Sequence, residues 1–228
     1  MPSTLDACGP IAPPFKFNAP SVSKFSPEVT GRIIIKSMCE RLGWPSLAGK
    51  RVLDFGCGVR FACTIFNLEM EVAFYAGVDV DNAAITWLKE NVNDPRFWFA
   101  RLSMHNAMYN PTGLRCATGA LRDMGLEDFD VACMFSVITH QKPEDAELVF
   151  SMLRPCAQRL YFTAFIDEAV DGYMEKDPDQ PCHMSTYSSS LISELLLRTG
   201  WRIEAVHAPM LFQQTTFVCS PIMSMERS

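Results

Sequence analysis

Residues 51–61 read Arg-Val-Leu-Asp-Phe-Gly-Cys-Gly-Val-Arg-Phe, and no other stretch constrains the fold as strongly. Val52, Leu53 and Phe55 have the apolar density of a short buried strand. Gly56 and Gly58 follow at once, residues that accept positive φ and let another group approach the main chain. From Arg60 to Val72, the apolar residues Phe61, Ile65, Phe66, Leu68 and Val72 recur at helical spacing. A strand, a glycine bend and a helix in succession present backbone N–H groups to a nucleotide-like ligand. Taken alone, the two glycines also fit an ordinary tight βα turn.

The next segment sharpens the reading. Phe74-Tyr75-Ala76-Gly77-Val78-Asp79 reads as a second strand that ends in an acid, about twenty residues past the glycines, where a carboxylate can accept hydrogen bonds from ribose hydroxyls. The dinucleotide fingerprint G-x-G-x-x-G fails at its third position, which is Phe61. A phenyl ring there is expected to hold the helix off the strand and obstruct a pyrophosphate. The P-loop pattern is absent. What remains is a nucleoside without a phosphate chain.

Val52-Leu53-Asp54-Phe55-Gly56-Cys57-Gly58 resembles motif I of the class I S-adenosylmethionine (SAM)-dependent methyltransferases, and Gly77-Val78-Asp79 resembles the acidic end of their second strand. The resemblance spans roughly residues 30–220. It implies an α/β fold: a Rossmann-like, doubly wound, seven-stranded sheet, mostly parallel with a C-terminal antiparallel hairpin, and helices on both faces. It also implies SAM as cofactor and S-adenosylhomocysteine as product. On that basis Asp54 and the N–H groups around Gly56 and Gly58 face the methionyl ammonium and carboxylate, and Arg60 reaches the carboxylate. Asp79 and Val80 hold the ribose, and Ser103, Met104 and Asn106 flank the adenine. Phe135 and Ser136 lie near the methyl donor. Most relatives carry an acid where this chain has Ser103, so Asn106, His105 or a backbone group is expected to replace that adenine contact. Ser136-Val137-Ile138-Thr139-His140 resembles a stretch after the fourth strand in a subset of the family. His140 and Tyr109 are the catalytic candidates, with His183 and Tyr187 in the segment expected to cover the acceptor.

The remaining elements follow from local chemistry. Ser26-Pro27-Glu28 opens a helix that Gly43 and Pro45 stop, with Ile33, Ile34, Met38 and Leu42 inward. Residues 82–91 form an amphipathic helix capped by Asp81 or Asn82, and residues 97–102 a third strand. The run 129–138 reads as one buried strand, after a helix or loop over 114–128. Pro143–Arg154 is helical with Glu144 and Asp145 at its positive end. Residues 160–166 form the fifth strand, and 167–180 an acidic irregular stretch that reads as a solvated loop. A helix capped by Ser188-Ser189-Ser190 runs to Arg198. The segments 201–206 and 214–219 are joined too briefly for a helical crossover, so they pair antiparallel.

The domain is expected over 29–228, preceded by a proline-rich arm over 1–28 that places Phe15, Phe17 and Phe25 across it as a lid. A net charge of −6 disfavours a general nucleic-acid surface. The cysteines lack metal-ligand spacing and read as buried thiols of a reducing, cytoplasmic compartment; neither a membrane span nor a signal segment is expected. These features point to a methyltransferase for a small molecule or sugar. A SAM-binding partner subunit without turnover and a nicotinamide oxidoreductase, the latter opposed by Phe61, are the alternatives. Neither the acceptor nor the oligomeric state is encoded in any motif.

Overall fold

The computed structural model describes residues 10–14, 17, 26–106, 109–114, 116–176, 184–209 and 213–222. Its strands are β1 (Arg51–Phe55), β2 (Phe74–Asp79), β3 (Phe97–Arg101), β4 (Val131–Met134), β5 (Leu160–Ile166), β6 (Tyr173–Glu175), β7 (Ser185–Tyr187), β8 (Trp201–His207) and β9 (Thr215–Pro221). The long strands lie in the order β3-β2-β1-β4-β5-β9-β8, with the first five parallel and β9 and β8 antiparallel, as expected. The two short strands are additions. β9 pairs with β5 only as far as Ala164, which leaves the last residues of β5 an open edge. β7 takes that edge at Phe165 and Ile166, and β6 pairs with β7. The stretch read as irregular therefore contains a strand.

Helices α1 (Pro27–Leu42), α2 (Arg60–Asn67), α3 (Asn82–Asn91), α4 (Ala120–Asp123), α5 (Pro143–Leu153) and α6 (Ser189–Arg198) cover the sheet. Alternation along the strands divides the core. Leu53, Phe55, Ala132, Met134, Phe162 and Phe217 pack with α5 and α6. Val52, Tyr75, Val131, Cys133, Tyr161 and Val218 pack with α1, α2 and α3. Each large side chain fully buried there contributes about 1.5–3 kcal/mol. Gly43, with φ 73°, ends α1 as read, but Ser26 at its start makes no side-chain capping bond; α6 is capped by Ser188, whose Oγ accepts the Leu191 N–H.

Several elements are shorter than their periodicity suggests. α2 stops at Asn67 instead of running to Val72: Glu69 turns left-handed (φ 48°), and the Met70 and Glu69 amides close back on Ile65 and Phe66. Leu68, expected to face inward, is exposed, as is Ile33 on α1, where Ile34 and Ile35 take the core. Among the described residues of the 114–128 segment, only Ala120–Asp123 is helical. The buried run 129–138 is not one strand: β4 ends at Met134, Ser136 adopts φ 59°, and Ile138–His140 form a 3-10 turn. In the arm, Ile11 exchanges two hydrogen bonds with Asn67 and Phe17 packs on Trp87, whereas Phe15 and Phe25 lie outside the described residues. Among the described residues no helix is long and apolar enough to cross a membrane.

Candidate functional site

The doubly wound order reverses beside β1, which lies between β2 and β4, and ligands of open α/β sheets bind at the carboxyl end of such a crevice. The glycine bend sits there. Gly56 and Gly58 have φ 71° and 47°. A Cβ on Gly56 would come within 2.5 Å of Val137 Cγ2, so this residue is pressed against the chain leaving β4. A Cβ on Gly58 would meet nothing within 4 Å, so it borders open space.

The bend's N–H groups are not aimed at a ligand as expected. Gly56 and Cys57 both donate to the Val78 carbonyl (2.8 and 3.1 Å), and Gly58 donates to Asp79 Oδ2 at 2.7 Å. These bonds lock the bend onto the end of β2. The available donors are instead in the first turn of α2, where the amides of Val59, Arg60 and Phe61 have no acceptor among the described residues. Asp79 Oδ1 accepts the Asp81 N–H at 2.9 Å, so both carboxylate oxygens are held in place. Burial pushes the Asp79 carboxyl up, against the pull of the Asp81 and Gly58 amides.

Asp54 does not face this space, contrary to expectation. Strand alternation places it with Val52 on the α1–α3 side of β1, where it is 3% exposed. Its Oδ2 accepts the Tyr75 hydroxyl at 2.6 Å and Cys133 Sγ lies 3.7 Å from Oδ1. Burial raises its pKa to about 7, with the Tyr75 bond opposing and the Asp79 charge adding. Arg60 remains at the bend. Its guanidinium donates to Thr30 on α1 and pairs with no carboxylate among the described residues. Phe61 turns into the core, 4% exposed, with its ring 6.4 Å from that of Phe135. Its bulk therefore supports the bend instead of obstructing the space beside it.

Known structures share this fold. A magnesium protoporphyrin IX methyltransferase from Synechocystis PCC 6803, solved with bound SAM, superposes with a TM-score of 0.55 at 15% identity over 90% of this chain and 85% of its own. A 1,6-didemethyltoxoflavin-N1-methyltransferase from Burkholderia thailandensis, with that substrate and S-adenosylhomocysteine bound, gives 0.58 at 16% identity over 86% and 80%. A SAM-dependent methyltransferase from Mesorhizobium loti gives 0.54 at 14% identity over 82% and 97%. The chain has the class I SAM-dependent methyltransferase fold. No protein-family profile matches its sequence.

Within this methyltransferase fold, the loop after β3 lies where adenine contacts were expected. Ser103 is exposed and its carbonyl accepts the Leu114 N–H at 2.8 Å, and Met104 is buried. Val80 is half-buried at the end of β2. Asn106 has a structural duty that the sequence did not reveal. Its main chain pairs with Asn110, its Oδ1 accepts the Tyr109 N–H at 2.9 Å, and its Nδ2 donates to the His140 carbonyl at 3.3 Å. It braces the loop against the turn after β4, so its side chain is not an idle adenine contact. A cavity of about 360 Å³ beside Met104 and His105 is lined by Leu114, Leu148, Glu144 and Asp145.

That brace brings the two catalytic candidates together. Tyr109 meets His140 edge-to-face, with ring centroids 5.8 Å apart at 85°. Burial and the charges of Asp79 and Asp81 push the Tyr109 phenol up. Beyond β4, Phe135 is half-buried and Ser136 is held in a left-handed conformation that costs a non-glycine residue about 1–3 kcal/mol. Its N–H donates to Thr163 Oγ1 at 3.0 Å, its Oγ bonds Gln214, and its carbonyl accepts the Thr139 hydroxyl. Thr163 and Gln214 escaped the sequence reading because neither belongs to a motif; their proximity depends on β9 folding back beside β5. The same holds for Gln141, buried, with Oε1 unpartnered among the described residues. Tyr187 is a core residue whose hydroxyl donates to the Gln141 carbonyl, and His183 lies outside the described residues.

Proposed function

We propose that this chain is a SAM-dependent methyltransferase acting on a small-molecule acceptor. The observation that carries the reading is the clamp at the bend. Asp79 grips the Gly58 N–H beside open space, with unengaged α2 amides and an unpaired Arg60 next to it. In this reading the spare lone pairs of Asp79 accept the ribose hydroxyls. The first turn of α2 and Arg60 hold the methionyl carboxylate, since both present positive potential to an anion. Val80, Ser103 and Met104 border the adenine. Phe135 and Ser136, anchored to β5 and β9, border the methyl group. SAM supplies a methyl on a sulfonium, electrophilic enough for direct displacement.

The chain's contribution is chiefly positional, because the acceptor atom must sit about 3 Å from the methyl and in line with the leaving sulfur. His140 takes the proton of a hydroxyl acceptor, and Tyr109 fixes the imidazole plane from its edge. The small-molecule class draws on the net charge of −6, which opposes a polyanion, and on the small acceptors named for the Synechocystis and Burkholderia enzymes. A cytoplasmic setting fits the buried thiols, all free among the described cysteines.

Calorimetry with SAM and S-adenosylhomocysteine tests the donor site, and a methyl-transfer assay over small hydroxyl, amine and carboxyl acceptors tests turnover. Absence of S-adenosylhomocysteine binding refutes the reading. Binding without transfer to any acceptor favours a regulatory or partner subunit.

A further inference from the structure

A second polar centre lies between α1 and the β5–β9–β8 side of the sheet, and nothing above uses it. Thr163, Thr216 and His207 are successive cross-strand neighbours on β5, β9 and β8, so their side chains share one face. Tyr161 lies two residues before Thr163 on that face. Ser37 and Arg41, one turn apart on α1, meet it from the other side. Ser37, Arg41, Tyr161, Thr163, Gln214 and Thr216 line a narrow cavity of about 20 Å³, and His207 lies beside Thr216 outside that lining.

Arg41 donates to Thr216 Oγ1 and to the Tyr161 hydroxyl, and no carboxylate among the described residues pairs with it. His207 Nε2 is shielded from solvent and has no partner among the described residues. Burial and the Arg41 charge both push the His207 pKa down. A guanidinium set among hydroxyls without a counter-charge is an arrangement that an anion completes, and its planar fork matches a carboxylate.

We propose that this cavity binds a carboxylate group carried by the methyl acceptor. The space is slightly more than the minimum of about 10–15 Å³ that a water molecule requires, so it admits one oxygen of a carboxylate and leaves less room for the bulkier tetrahedral phosphate. The cavity also adjoins the donor end. Phe135 lines it, Thr163 Oγ1 accepts the Ser136 N–H, and Gln214 bridges Thr163 to Ser136. A carboxylate seated on Arg41 directs the rest of a small acceptor past Thr163 and Gln214 toward the methyl group. The acceptor role rests on the methyltransferase reading, whereas the anion site does not.

The test titrates the full chain calorimetrically with benzoate, inorganic phosphate and, separately, S-adenosylhomocysteine. Wild type is expected to bind benzoate more tightly than phosphate. Arg41→Gln is expected to weaken benzoate by about tenfold or more and Arg41→Lys to restore part of it, since the charge returns without the fork. S-adenosylhomocysteine affinity stays within about twofold throughout, because that ligand does not contact Arg41. Should Arg41→Gln melt early, Thr216→Val removes one hydroxyl at nearly constant shape and is expected to weaken benzoate severalfold. No heat from benzoate with wild type, phosphate bound as tightly, or benzoate held equally by the wild type and a folded variant overturns the proposal. Loss of S-adenosylhomocysteine binding with the benzoate pattern intact would instead overturn the donor site and leave the anion site standing.

Discussion

Gly56 and Gly58 are two residues apart in sequence and both left-handed, yet substitution by alanine is expected to separate their roles. Each Ala must adopt positive φ, which costs about 1–2 kcal/mol, partly offset by about 0.4–1 kcal/mol from restricting the unfolded chain. At Gly58 nothing else opposes a methyl group, because no heavy atom lies within 4 Å of the new Cβ. The net loss is therefore about 1 kcal/mol, or about 2–4 °C in Tm for a chain of this size. At Gly56 the new Cβ stands 2.5 Å from Val137 Cγ2, so an overpacking cost of about 1–3 kcal/mol is added. Gly56→Ala should lose roughly 5–15 °C. Binding should rank the other way for a folded protein. The Gly58 methyl projects into the proposed donor space and is expected to reduce S-adenosylhomocysteine affinity by about tenfold or more, as a steric block does where packing is tight. Thermal melts followed by calorimetry on both variants check the pair. A Gly58→Ala protein that melts near wild type and binds S-adenosylhomocysteine normally would refute the placement of the donor beside this bend.

Asp79→Ala is expected to abolish measurable S-adenosylhomocysteine binding by calorimetry and to cost about 1.5–3 kcal/mol in urea unfolding for each charge-assisted bond lost to the Gly58 and Asp81 amides. The Asp54 carboxyl stays protonated up to about 7 in the native state but only to about 3.8 when unfolded, so wild-type stability should fall as pH rises between those values. Asp54→Asn should flatten most of that slope in urea melts at stepped pH and leave a smaller one from Asp79. His140→Gln should lower kcat with a hydroxyl acceptor by about 100-fold with S-adenosylhomocysteine affinity unchanged, and an equal loss with an amine acceptor would argue against a base. Arg41→Gln should raise the His207 pKa, read from its imidazole proton shifts, because a neighbouring positive charge is removed.

The strands were legible because local signals there agree with one another: apolar runs of strand length, two glycines where the chain must bend, and an acid ending the second strand; their order followed from the resemblance that the glycine bend and that acid carry. The antiparallel end followed from a connection too short for a crossover. The place of Asp79 at the end of β2 was legible for the same reason, since a strand's last residue lies at the carboxyl edge. Asp54 was not, because which face of β1 it occupies depends on the register of β1 between β2 and β4, and that register put Tyr75 and Cys133 against it. The bend's amides were misassigned because sequence cannot show that the Val78 carbonyl claims two of them. The pairing of Tyr109 with His140, and the meeting of Arg41 with Thr163, Thr216 and His207, join residues far apart in the chain. Periodicity carries information over a few residues; the sheet pairings and helix packing that bring these side chains together are set only when the whole chain is compact.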